Sequence, residues 1–499
     1  MTTGLSSKRW LLGLVYLVCS AFGLRALALI DSTGLWSDEL YTVGKSFQPS
    51  YQALLAMLRL DTHPPLYYTL IWVWGHLLQP SAITLRLFSW LAYLAGGLMM
   101  TVQAGNLARL NSLSRPKLAM AAGALMAFCS PYPVRFAIEG KGYALLVLLV
   151  SLAWWCRLRH YRLGYGLSVA LAGLTHYYGL FLFSATALWD VLRGRRDLSL
   201  FALLGLIPPL LWMFYASSYL MRSGTAGWIG QPDFDLLEDT LARALGLWPF
   251  PKLLLLVLVS LSIVWVGLQQ HRSLKTSLAG FESLAGLADF SGLMPSLLML
   301  AGVIMISFWK PLAFSRYFVV LLPAFIPWSA VVLASLPLNQ RGRGIAAVAA
   351  AALLISWWWH SFLELDPALN GHGARESDQF QLVSRALVDK PYRFSKRQSL
   401  FNLSDRMEVA SGRMIQPKHS WGGSSELNQL LATESSPGQL WLADTGDATG
   451  AWPRLKTMRQ KVEAAGYRCQ SAAIFETSTA PFARVLQCQS AGPLHSEQR

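Results

Sequence analysis

The chain has 499 residues, of which 54% are hydrophobic and only 14% charged, with a mean hydropathy of +0.38. Those proportions exclude a wholly soluble enzyme and describe a polytopic membrane protein with a water-soluble portion. The net charge of +15 lies largely in short loops between apolar runs, where it sets membrane orientation. No zinc-finger spacing or recognition motif points to nucleic acid instead.

Lys8 and Arg9 precede an apolar run from Trp10 to Ile30. Its length suits a first span better than a cleaved signal peptide, although Ala26-Leu27-Ala28 resembles a cleavage site. Arg25 then stands near the extracytoplasmic end, where it snorkels outward or faces a phosphate. Next come WSDELYT, with Asp38 and Glu39, an amphipathic spacer, and DTHPPLYY, with Asp61, His63 and the pair Pro64-Pro65. Such acids either end a helix in a solvated loop or are kept at the bilayer surface for a task. The prolines stiffen the backbone and fix where His63 points. The apolar stretch from Pro65 to Leu78 is short for a span, and its Tyr and Trp suit a helix in the outer interface.

The next spans are expected near 86–104 and 118–131, the first with Arg86 as its anchor. Further on, spans flank Thr175-His176-Tyr177-Tyr178, and others lie near 198–219, 251–268, 292–309 and 344–362. Inside loops then hold Arg109, Arg115 and Lys117; Arg157, Arg159 and Arg162; Arg193, Arg195 and Arg196; Arg272 and Lys275; Arg341 and Arg343. Outer segments hold Arg135, Glu139 and Lys141; His176; Asp233, Asp235, Glu238 and Asp239; Lys310 and Arg316. This assignment predicts about eleven spans, with the N-terminus cytoplasmic and the C-terminus outside. Cys19, Cys129 and Cys156 fall in apolar runs and read as packing residues.

From residue 363 the composition turns polar, which divides the chain into a membrane domain, 1–362, and a small extracytoplasmic α/β domain, 363–499. ESDQFQLVSRAL reads as a helix, QLWLAD as a strand and PRLKTMRQKVEAAG as a helix ending at glycine. The closing stretch reads as two strands around a turn near residue 479, which sets Cys469 almost opposite Cys488. The two are expected to form a disulfide or to be small hydrophobes on one sheet face.

Five segments in order carry a family resemblance: W-x-D-E-x-Y-T at 36–42, D-x-H-P-P-L-Y-Y at 61–68, AIEGKGYALL at 137–146, THYYGLFLF at 175–183 and SRYFVVLLPA at 315–324. Together they resemble the GT-C superfamily of glycosyltransferases, in the bacterial branch near the protein mannosyltransferases and the lipid A aminoarabinose transferase. The resemblance covers roughly residues 10–362. It implies an all-α polytopic membrane bundle with interfacial helices in its first outer loop, sited in the bacterial cytoplasmic (inner) membrane and serving the cell envelope. The implied activity is transfer of a sugar, with inversion, from a polyprenyl-phosphate donor to a hydroxyl of a lipid, glycan or protein acceptor at the extracytoplasmic face.

By match to the family's acidic pair, Asp38 is the expected general base, with Glu39 orienting it or sharing a metal. Asp61 and His63 are placed near donor or acceptor, the plain alternative for His63 being a histidine satisfied by an interfacial carbonyl. Asp38, Glu39, Asp61 and His63 suit Mg²⁺ or Mn²⁺ if their side chains converge. The donor phosphate is expected to meet Arg316, beside Tyr317, and then Lys141, with Arg135 nearby. Where the branch reads E-x-R-x-Y, this chain has Glu139, Lys141 and Tyr143; lysine keeps the charge but loses arginine's bidentate fork. His176, Tyr177 and Tyr178 line a sugar pocket or form part of an interfacial aromatic belt. The competing function is a transporter or flippase of lipid-linked sugars, which would favour interrupted helices repeated between two halves.

Overall fold

A long apolar run leaves its backbone no water to bond, so it folds as a helix that satisfies its own N–H and C=O groups. In the computed structural model, which describes residues 3–110, 115–222, 229–233, 235–236, 286–336, 338–363, 365–370, 379–433, 437–446, 451–472 and 483–490, most of the chain takes this form. In order, the helices are α1 (Thr3–Ala28), α2 (Ser37–Ser46), α3 (Tyr51–Arg59), α4 (Leu66–Leu78), α5 (Ala82–Leu110) and α6 (Pro116–Cys129). Then follow α7 (Pro131–Ala137), α8 (Tyr143–Leu158), α9 (Arg162–Thr175), α10 (Tyr177–Leu192) and α11 (Arg196–Tyr215). Beyond these lie helices at Leu293–Ser307, Leu322–Ser335 and Gln340–Leu363.

Among the described residues, Ala82–Leu110, Arg196–Tyr215, Ser315–Ser335 and Gln340–Leu363 are long and apolar enough to cross a membrane. Leu12–Ala28, Pro116–Cys129, Tyr143–Leu158, Tyr177–Leu192 and Leu293–Ser307 are shorter apolar helices. The span expected at 251–268, the loop residues Arg272 and Lys275, and Glu238 and Asp239 lie outside the described residues. Where a plain outer loop was expected after residue 131, α7 forms instead, because Pro131 at its first position ends α6 and starts a new helix.

The chain divides into two compact units. The first comprises Met1–Leu27, Pro49–Ile71 and Arg86–Phe362. Within it α9 packs against α8, α10 and α11. A Cβ on Gly205 would run into the carbonyl oxygen of Gly166, so these two glycines let α9 and α11 approach closely. At the ends of α8 and α10 the unit buries a charged cluster. The Arg157 guanidinium donates to both Asp190 oxygens, at 3.0 and 2.5 Å, and to the Asp289 backbone carbonyl at 3.1 Å. Arg195 bridges Asp190, at 3.0 Å, and Asp289. Trp189 Nε1 donates to Asp289 at 2.8 Å. Arg157, expected in an inside loop, stands instead in the last turn of α8 with its side chain 2% exposed, and Asp190 is fully buried. Gly292, at φ +87°, follows this cluster, and a Cβ there would meet the Trp154 ring at 2.5 Å. Only glycine serves at that turn.

The second unit comprises Ala28–Gln48, Trp72–Leu85 and Leu363–Arg499. Its sheet has the order β1-β2-β4-β3, from Arg393–Phe394, Gln439–Thr445, Ala483–Ser490 and Tyr467–Ser471. β1 runs parallel to β2, and β4 is antiparallel to both its neighbours. The expected QLWLAD strand, the two closing strands and the helix ending near Gly466 are all present, whereas the turn near 479 lies outside the described residues. Leu440, Leu442 and Leu486 of the sheet pack with Leu455, Met458 and Val462 of the Ala451–Ala464 helix. Segments from the first outer loop belong to this unit because they bury themselves on it. α2 packs against the Gln398–Ala410 helix, with Gly44 facing Leu403. Arg413 pairs with Asp31 at 2.6 Å, and Ser32 Oγ donates to the Leu365 carbonyl at 2.9 Å.

Cys469 and Cys488 stand opposite each other in the β3–β4 register and are joined as a disulfide. Cys19, Cys129 and Cys156 are free thiols, the last two buried. Closing a loop with a sequence separation of 19 restricts the unfolded chain enough to stabilise this unit by roughly 3 kcal/mol. Non-reducing peptide mapping is expected to recover the two cysteines as one linked pair, and Cys488→Ser to lower the unfolding temperature. Alkylation of Cys469 and Cys488 themselves in the unreduced protein would contradict the pairing.

Candidate functional site

The membrane unit gathers residues from three of the segments singled out by sequence and from the start of a fourth. Asp61 to Pro65 link α3 to α4. Here Asp61 Oδ1 accepts both the His63 backbone N–H, at 3.0 Å, and the His63 imidazole, Nδ1 at 2.7 Å. The imidazole is thus held by its own neighbour, and its ring centre lies 6.2 Å from that of His176.

His176 is the single residue between α9 and α10, and its φ of −156° breaks the helical run. It caps α10: its Nδ1 accepts the Tyr178 backbone N–H at 3.1 Å. Aromatic rings surround it, with centroids 5.0 Å away for Tyr317, 5.6 Å for Tyr178 and 5.9 Å for Tyr143. Burial, with His63 and Lys141 nearby, holds the His176 imidazole well below its ordinary range.

Lys141 stands in the turn before α8. Its N–H bonds the Glu139 carbonyl at 2.7 Å, and Ser89 Oγ donates to that same carbonyl at 2.6 Å. The lysine is 5% exposed, yet among the described residues its side-chain ammonium has no hydrogen-bond or ion-pair partner. A buried ammonium without a partner is costly, so a position like this calls for an anion. Two tyrosines fix the surroundings through hydrogen bonds that no sequence pattern indicates. Tyr132 Oη donates to the Ser315 carbonyl and Tyr178 Oη to the Leu312 carbonyl, each at 2.7 Å. These bonds hold the segment carrying Arg316 and Tyr317 against α7 and α10.

Tyr317 joins the cluster, whereas the Arg316 guanidinium lies 4.9 Å over the Phe314 ring. Arg135 is half-buried on α7 and Glu139 is buried at the turn; Tyr177 is half-buried at the start of α10. Arg86 is 1% exposed. It is therefore a buried cation near the start of α5 rather than an anchor that snorkels outward. Ser89 and Tyr132 carried no readable signal, because each acts through a backbone carbonyl far along the chain.

Asp38 and Glu39 occupy the first turn of α2 in the second unit, where the helix dipole favours acids. Glu39 is fully buried and Asp38 partly exposed. Consecutive helical residues diverge by about 100°, so the two carboxyls face different surroundings. Among the described residues no three His, Cys, Asp or Glu side chains are grouped to hold a metal ion. Asp61 and His63 pair with one another.

No family model matches the sequence, and no curated protein does. The structure is similar to that of ArnT from Cupriavidus metallidurans in the apo state, with 12% sequence identity and a TM-score of 0.58, over 95% of this chain and 98% of that one. The fold is like that of ArnT, and at this identity the likeness is one of architecture. It extends over nearly the whole chain, including the C-terminal residues to which the sequence motifs do not reach.

Proposed function

We propose that the chain is a glycosyltransferase of the bacterial inner membrane that takes a sugar from a polyprenyl phosphate and passes it to an acceptor hydroxyl at the extracytoplasmic face. The observation that carries this reading is Lys141, a buried ammonium with no protein partner among the described residues, set beside His176 and a wall of tyrosines in a GT-C fold. A phosphate supplies the missing negative charge, and the apolar helices suit the prenyl tail. The disulfide fits an extracytoplasmic place for the C-terminal residues.

In this scheme Asp38 takes the acceptor proton as the acceptor oxygen bonds to the anomeric carbon. The bond from that carbon to the phosphate oxygen breaks, its electron pair stays on the phosphate, and the polyprenyl phosphate departs. One displacement inverts the anomeric centre. Lys141 meets the charge that grows on the leaving group.

Purified protein in lipid nanodiscs is expected to transfer label from an undecaprenyl-phosphate sugar. Lys141→Met is expected to weaken undecaprenyl-phosphate binding by roughly 10–100-fold, the worth of one charge-assisted contact. The same change removes a buried unpaired charge, so the ligand-free variant should unfold at the same temperature or higher. A variant that is destabilised without ligand but binds undecaprenyl phosphate normally would make Lys141 a structural residue and remove the main support for this reading.

A further inference from the structure

The hydrogen bonding of His176 fixes more than its position. Its Nδ1 accepts the Tyr178 N–H at 3.1 Å, so Nδ1 carries the lone pair and the ring proton must sit on Nε2. Protonating Nδ1 would set two donors against each other at the start of a helix of 16 residues, whose dipole already opposes a cation there. The imidazole is therefore a neutral group, and what it offers a ligand is one N–H. Among the described residues that Nε2 has no hydrogen-bond partner, although His176 is only 9% exposed.

Its neighbours show which atom of a donor would use it. Lys141 is the stronger partner for a phosphate, since its ammonium adds the attraction of a full opposite charge to the hydrogen bond. A neutral N–H suits a neutral oxygen. Tyr143, Tyr178 and Tyr317, whose ring centres lie within 6 Å of His176, supply flat apolar faces of the kind that the C–H surface of a sugar ring packs on. We propose that His176 binds a hydroxyl oxygen of the transferred sugar through a neutral Nε2–H, leaving the phosphate to Lys141. This assignment rests on the glycosyl-transfer reading and divides the two ends of the donor head group between adjacent residues.

Histidine-selective ¹⁵N NMR in nanodiscs tests the state and the contact together. The His176 signals are identified by their loss in His176→Asn, whose side-chain oxygen still caps α10 but does not extend to the Nε2 position. The proton is expected on Nε2. That signal is expected to shift on adding a short prenyl-phosphate hexose and to stay in place with the same prenyl phosphate lacking the sugar. His176→Asn should keep the wild-type unfolding temperature yet bind the sugar-bearing probe roughly tenfold more weakly. His176→Gln, which restores an N–H near the Nε2 position, should recover binding at reduced stability. A proton on Nδ1, an equal shift with the sugar-free probe, or unchanged probe affinity in His176→Asn would each overturn the proposal. A shift with the hexose probe but no transfer of its sugar would leave the contact standing and sink the transfer reading alone.

Discussion

Asp38→Asn is expected to lower sugar transfer by roughly 10²–10⁴-fold, the usual worth of a positioned general base, while the protein accumulates and unfolds as the wild type does. Asparagine keeps the shape of the side chain and its place in the first turn of α2, and loses only the ability to take a proton. The change should fall on turnover rather than on affinity for the prenyl phosphate, because the base acts on the acceptor. Glu39→Gln separates the two acids. Glu39 is fully buried, unlike Asp38, so its replacement should be felt in stability. Transfer at the wild-type rate by Asp38→Asn in a labelled-donor assay would remove Asp38 from the chemistry.

The second large effect concerns the buried charges of the membrane unit. Asp190→Leu should destabilise the protein by about 3–5 kcal/mol, since it leaves the Arg157 and Arg195 guanidinium groups without their shared carboxylate. Removing Arg157 as well takes away the cation whose remaining contact with a carboxylate, that of Asp289, is 3.4 Å long, and leaves Arg195 with Asp289. The Arg157→Leu/Asp190→Leu double variant should therefore unfold at a higher temperature than Asp190→Leu alone. Thermal unfolding in nanodiscs measures both. If the double variant is the less stable of the two, the cluster does not work as a balanced pair of ion pairs. Prenyl-phosphate binding in a folded double variant should be unchanged, because Lys141 and His176 stand at the starts of α8 and α10 and the cluster at their ends.

Composition and local pattern determined a good deal about this protein. Hydropathy marks the helices because lipid leaves a backbone no other way to satisfy its bonds. A short apolar run in QLWLAD marks β2, the closing stretch around its turn marks β3 and β4, and the hairpin register alone set Cys469 across from Cys488. Motif order pointed to the GT-C architecture and to Lys141, His176 and Tyr317 as chemically notable. What remained illegible was every property that depends on a partner far along the chain. Arg157 looked like a loop cation because its carboxylate partners lie 33 and 132 residues away. Arg86 looked like a span anchor because burial cannot be read from a single charged residue. β1, two residues long, has too little sequence to show a period, and α2 gave no sign that it folds with the Gln398–Ala410 helix. Likewise, nothing in the letters states that Lys141 has no protein partner or that His176 spends Nδ1 on a helix cap. Hydrophobic periodicity reports which way a side chain faces, whereas charge pairing and tautomer are set by what packing brings within about 3 Å of it, and that is decided only when helices distant in sequence come together.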